Sequence, residues 1–109
     1  MKLVDLIEFL KDQDILEQLF EKENLNTDSG AINICMKRAL DIESDIGLIE
    51  MEKTGGNLSF EINDIPYVEL FPAYHAMEIV ESYFGGNIGS RYNNLEIAKR
   101  LLEYRIKDA

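Results

Sequence analysis

The residue best suited to acid–base chemistry is His75, the only histidine in the chain. Glu78 and Glu81 follow it at helical spacings, and a histidine beside carboxylates can act as a general base. A lone histidine is more often structural or simply exposed. An enzyme that uses His75 with Glu78 is therefore less favoured than a binding protein, and we expect a protein that is not an enzyme.

Four acidic residues follow the spacing of a calcium-binding loop. Asp41, Glu43, Asp45 and Glu52 occupy its first, third, fifth and twelfth positions. The sixth position, which requires glycine, is Ile46, and the residues after the loop have the pattern of a strand where the motif needs a helix. The chain also lacks a second histidine for a zinc site. We therefore expect no metal ion and no cofactor.

Two further features resemble reactive or ligand-binding elements. Cys35 is the only cysteine, which excludes an internal disulfide, and it lies on the apolar stripe of a predicted helix, where it would act as a small hydrophobe. The glycine-rich segment 85–91 follows a helix rather than a strand and lacks the lysine of a phosphate-binding loop. Its composition indicates an ordinary loop.

The charge of the chain is strongly negative and unevenly distributed. Its 109 residues carry 21 acidic and 11 basic side chains, a net charge of −10. Ten acids and a single lysine lie between Asp41 and Glu81, so that segment alone carries −9. Such a charge attracts cationic partners and disfavours nucleic acid and anionic membranes. The length and the 46% hydrophobic content predict one globular domain spanning residues 1–109.

Apolar residues at helical spacing occur on both sides of the middle of the chain. The apolar spacing between Lys2 and Lys22 predicts one long helix, or two helices with a break near Asp12–Asp14. In the second case Asp14 would be the N-cap of the second helix. The apolar spacing from Ile32 to Leu40 predicts another helix, capped by Thr27 or Asp28. A helix begins at Pro72 and stops at the glycine pair 85–86. The last one begins at Ser90 or Asn93.

Between these helices, alternating apolar and polar residues predict three strands: Leu48–Thr54, Asn57–Asn63 and Tyr67–Phe71. Gly55–Gly56 supplies the first hairpin turn, and Asn63 to Pro66 the second. The predicted fold is α+β, a three-stranded antiparallel meander with helices packed on one face, in the order ααβββαα.

One face of this meander would carry a cluster of carboxylates around a tyrosine. The residues predicted to contact a partner are Glu50, Glu52, Glu61, Tyr67 and Glu69. Like charges on neighbouring strands cost stability, and tyrosine is enriched at protein interfaces. A solvated surface explains the same pattern about equally well.

In its size, acidity and architecture, the chain resembles the immunity proteins that bacteria use to block nuclease or pore-forming toxins. The acids from Asp41 to Glu81 carry this resemblance. It implies tight binding of a basic toxin domain, such as a nuclease, whose lysines and arginines pair with the glutamates. The leading hypothesis is an acidic protein-binding module of this immunity type.

The alternative is a small regulatory or adaptor domain that dimerises or binds a peptide through the Tyr74–Phe84 helix and the last helix. For location, Asp5 and Glu8 interrupt any apolar core of a secretory signal, and no apolar run reaches the roughly 20 residues that span a bilayer. The sequence therefore predicts a cytoplasmic protein without a membrane partner.

Overall fold

The computed structural model describes residues 1–27, 31–84 and 93–108. These residues form an α+β fold with one four-stranded antiparallel sheet and five helices, which confirms the predicted class. The predicted count of three strands and the order ααβββαα are wrong. The elements are, in chain order, α1 (Leu3–Leu10), α2 (Gln13–Lys22), β1 (Ile32–Lys37), β2 (Ile46–Glu50), α3 (Met51–Thr54), β3 (Ser59–Ile62), β4 (Ile65–Pro72), α4 (Ala73–Phe84) and α5 (Asn94–Asp108).

The N-terminal segment forms two helices that are separated at Lys11–Asp12. The side chain of Asp12 accepts hydrogen bonds from the backbone N–H groups of Asp14 (2.9 Å) and Ile15 (3.4 Å), so Asp12, not Asp14, is the N-cap of α2. At α5, the Asn93 side chain accepts from Glu96 N–H at 2.8 Å and caps the helix, which begins at Asn94, next to one of the two predicted starts. Ser90 and the glycine pair 85–86 lie outside the described residues.

The segment predicted as a second helix is β1, a central strand of the sheet. Five consecutive residues from Ile32 to Met36 are buried, because the strand is covered on both faces. A short continuous apolar run satisfies the helical spacing as well as the strand pattern, and the β-branched Ile32 and Ile34 favour the strand. The proposed cap at Thr27 has no helix to cap, and Asp28 lies outside the described residues.

The strand order is β2-β1-β4-β3, so the sheet is not a meander. Gly55 and Gly56 have φ values of 65° and 76°, but they end α3 instead of forming a hairpin. The predicted second turn is present between β3 and β4. Its two residues, Asn63 (φ 53°) and Asp64 (φ 67°), have the positive φ values of a two-residue hairpin loop.

One face of the sheet, the helix face, forms the core. Ile32, Ile34 and Met36 of β1 are buried there with apolar side chains of the helices. An irregularity in the β1–β4 register adds Leu70 to β4, and Phe71 then pairs with Ile34 on this face. Tyr67 and Phe71, which strict alternation along one strand would place on the same face, therefore lie on opposite faces. The helical residues of the core are Leu3, Leu6, Ile7, Leu10, Leu16, Leu19, Phe20, Ala73, Ala76, Ile79, Val80, Ile97, Ala98, Leu101 and Leu102.

Candidate protein-binding surface

The opposite side of the sheet, which we call the second face, follows from the strand register. It carries Asn33, Cys35 and Lys37 of β1, Tyr67 and Glu69 of β4, and Phe60 and Ile62 of β3. Cys35 pairs directly with Glu69, and Lys37 pairs with Tyr67. The second face thus combines an aromatic centre with charges of both signs.

The aromatic centre consists of Phe60 and Tyr67, whose rings stack with centroids 5.9 Å apart and an interplanar angle of 16°. Both side chains are half-buried. The Tyr67 ring also extends across β1, since a Cβ placed on Gly47 of β2 would lie 3.6 Å from Tyr67 Cε1. Stacked rings of this kind form a rigid, partly apolar platform, which is the composition of interface anchors.

Two of the five residues predicted to bind a partner, Tyr67 and Glu69, share the second face. Glu61 pairs with Pro66 and lies on the other side of the sheet, exposed at the edge strand β3. Because β2 and β3 are the two opposite edges, three strand spacings, about 14 Å, separate Glu50 from Glu61. The five residues therefore do not form one acidic face, and their contact with a partner stays a prediction.

Glu50 has a structural environment. It is only 8% exposed, its Oε1 accepts from the backbone N–H of Asn26 at 2.8 Å, and its Oε2 lies 3.6 Å from Lys53 Nζ. These contacts fix the segment before β1 against the end of β2. Glu52 is exposed on α3, the single helical turn that follows.

Other acids gather at one end of the sheet. β1 and β3 run in one direction and β2 and β4 in the other, so the β1–β2 and β3–β4 turns lie at the same end. A hydrogen bond from Arg38 N–H to the Pro66 carbonyl, at 2.8 Å, connects the two turns. The exposed carboxylates here, which we call the acidic end, are Asp41, Glu43, Asp45, Glu61 and Asp64.

The basic residues Lys2, Lys37 and Arg38 also lie near the acidic end. Lys2 Nζ contacts Asp45 Oδ1 at 3.2 Å, and its hydrogen bond and positive charge lower the pKa of the Asp45 carboxyl. Glu52 lies beyond β2, a five-residue strand about 16 Å long. The carboxylates of the calcium-like pattern therefore do not converge on one point. No group of three or more potential metal ligands occurs among residues 1–27, 31–84 and 93–108.

His75 and Cys35 differ in their exposure. The His75 side chain is half exposed, and its Nδ1 lies 4.0 Å from Glu78 Oε2, beyond hydrogen-bond distance. Burial, followed by the charge of Glu69, raises the pKa of Cys35 to about 12, so the thiol is protonated at neutral pH. Cys35 is therefore a buried apolar residue, as expected, although on a strand instead of a helix.

The helices of the adaptor hypothesis use most of their apolar residues in the core. Ala76, Ile79 and Val80 of α4 and Ile97 and Leu101 of α5 are buried. A cleft of about 370 Å³ remains between α5 and the β1–β2 turn, with charged residues of both signs around an apolar floor. Its lining residues are Leu40, Asp41, Ile42, Lys99, Leu102, Glu103, Ile106 and Lys107.

Sequence reasoning missed Phe60 and the acidic end. With helices packed on one face of the predicted meander, the alternating apolar residues of its second strand, Leu58, Phe60 and Ile62, would all face those helices. The signal that could have located Phe60 is the Asn63–Asp64 pair, since a two-residue hairpin loop sets Phe60 opposite Tyr67. The acidic end depends on strand order, which the sequence does not reveal.

In the part of the chain that the structure describes, no helix combines the length and apolar character needed to cross a bilayer. A comparison with protein-family models, with curated proteins and with solved structures finds no match to this chain.

Proposed function

We propose that this chain is an acidic protein-binding domain that neutralises a basic partner, as an immunity-type inhibitor of a bacterial toxin domain does. One observation carries the proposal. Eight of the ten carboxylates between Asp41 and Glu81 are exposed, and Lys53 is the only cation in that stretch of sequence. Exposed like charges repel one another, which costs stability, and they attract a partner of opposite charge.

Two surfaces of the sheet support such a role. The acidic end supplies carboxylates for lysine and arginine side chains of the partner, and these contacts increase the association rate and decrease with salt. The Phe60–Tyr67 stack on the second face supplies an anchor that does not depend on charge. Together they have the composition of a protein interface, a desolvated aromatic centre with a charged rim.

The test is neutralisation of the product of the adjacent reading frame, because an immunity gene directly follows its toxin gene. That product is expressed in bacteria with and without this chain, and growth is measured. We expect toxicity without the chain and rescue with it. A non-toxic neighbour, or toxicity that the chain does not relieve, would refute the immunity function.

A pair of charge-matched variants tests the acidic end. Glu43→Lys with Glu61→Lys reverses two exposed acids at the acidic end, whereas Glu21→Lys with Glu23→Lys reverses two exposed acids at the end of α2. Both double variants change the net charge from −10 to about −6. We expect loss of rescue only for the first. Equal effects would show that total charge, and not the acidic end, determines binding.

A further inference from the structure

The outer edge of β3 has backbone groups available for another strand. Glu69 N–H donates to the Leu58 carbonyl at 2.9 Å, and the register continues through the pairs Phe60–Tyr67 and Ile62–Ile65. In an antiparallel ladder, the hydrogen-bonded residues alternate with residues whose N–H and C=O groups point away from the partner strand. The peptide groups of Ser59 and Glu61 therefore point outward from the sheet.

The two edges of the sheet differ in this respect. At β2, the N-terminus covers part of the edge: Lys2 forms a bridge with Asp45, and Ile46 N–H donates to the Met1 carbonyl at 2.8 Å. At β3, no residue within 1–27, 31–84 or 93–108 pairs with the outer edge. An uncovered edge is a template for strand pairing with another chain.

The side chains next to this edge suit a particular kind of segment. Leu58, the residue before β3, is 59% exposed, and Phe60 stacks with Tyr67 on the second face. On the other side of the strand, Glu61 is exposed, and Asp64 lies in the adjoining turn. An added strand with alternating apolar and basic residues would place its apolar side chains beside Phe60 and its basic ones beside Glu61.

We propose that β3 binds an extended, basic segment of the partner as a fifth strand of the sheet, with main-chain hydrogen bonds to Ser59 and Glu61. This inference rests on the proposed function, because it takes the partner to be basic. A second copy of the chain is the other possible occupant of a free edge. It would bring a second Glu61 and a second Asp64 to the same seam, and the repulsion between like charges disfavours that pairing.

The experiment uses the full chain and a capped six-residue peptide of alternating lysine and valine. Amide hydrogen exchange is measured by NMR with and without the peptide, and affinity is measured by calorimetry. We expect exchange at Ser59 and Glu61 to slow at least tenfold at saturation. A peptide of alternating glutamate and valine should not bind. A lysine–valine peptide that is N-methylated along one edge should bind more weakly.

Ser59→Pro removes one outward N–H without removing a hydrogen bond to β4, since Ser59 and Val68 form a pair that is not hydrogen-bonded. We expect it to weaken binding of the lysine–valine peptide about tenfold, the effect of losing one hydrogen bond. Ser59→Ala keeps the N–H and should bind normally. The exchange measurement on the unmodified chain remains decisive if the proline variant does not fold.

Each outcome separates the strand proposal from the proposed function. Binding of the lysine–valine peptide with unchanged exchange at Ser59 and Glu61 would overturn strand addition and leave an acidic binding function standing. Absence of binding overturns strand addition, while the growth assay decides the function independently. A dimer in solution whose Ser59 amide is already protected without peptide would assign the edge to a second copy instead.

Discussion

Replacing Glu50 by alanine tests whether this buried carboxylate stabilises the fold. The change removes the hydrogen bond from Asn26 N–H to Glu50 Oε1, 2.8 Å long. A hydrogen bond to a charged acceptor contributes roughly 1.5–3 kcal/mol. The ion pair with Lys53, whose side chain is 65% exposed, adds at most about 1 kcal/mol.

We take about 2 kcal/mol for Glu50→Ala, near the lower end, because Asn26 is exposed and water can replace part of the lost bond. The entropy of unfolding for a chain of this length makes 1 kcal/mol equal to about 4 °C in Tm. We therefore expect Tm to fall by about 8 °C. Glu50→Gln keeps a neutral acceptor and should lower Tm by about half as much.

The assay is thermal unfolding followed by circular dichroism, repeated as urea denaturation. Lys53→Ala serves as the control, since it removes only the ion pair and should lower Tm by less than about 4 °C. The reasoning is refuted if Glu50→Ala lowers Tm no more than Lys53→Ala does. Glu50 would then be free to serve a partner, as the sequence first indicated.

Three further predictions concern the fold. Asp12→Ala removes the N-cap of α2 and should cost about 1 kcal/mol in urea denaturation; an unchanged midpoint would contradict the cap. Ile34→Ala in the central strand should cost about 2–5 kcal/mol, whereas Ile15→Ala, at a side chain that is 42% exposed, should cost less than about 1 kcal/mol. The raised pKa of Cys35 means that the unfolded chain releases this proton first, from about pH 9, while the folded chain holds it until about pH 12. The free energy of unfolding should therefore fall as pH rises from about 9 to 12, and more steeply than in Cys35→Ala; equal slopes would show that the thiol is not buried.

Much of the fold follows from local pattern. The apolar spacing located the helical segments at both ends of the chain, and Asn93, one of the two residues predicted to begin the last helix, lies directly before its first residue. β3 and β4 were located by alternation and by the turn at Asn63–Asp64. These features depend on residues that are close together in the sequence, which is why the sequence predicts them.

What could not be predicted depends on contacts between distant residues. β1 lacks alternation because its residues are buried on both faces, so its apolar spacing does not distinguish it from a buried helix. The extra residue at Leu70 changes the side on which Phe71 lies, and no local signal marks it. The acidic composition was visible in the sequence, but strand order separates Glu50 from Glu61 and brings the turns together.

The strand order also has a kinetic consequence. β1 and β2 form one hairpin, β3 and β4 form another, and the pairing of β1 with β4, which we call the seam, joins the two. Each hairpin closes a short loop, whereas the seam joins residues thirty or more positions apart, such as Ile34 and Phe71, and so closes a much longer loop. We therefore expect the hairpins to form first and their docking to limit the folding rate. Substitutions at the tip of the β3–β4 hairpin should then mainly slow folding, because the hairpin is already formed when docking occurs, whereas those at the seam should change both the folding and the unfolding rate.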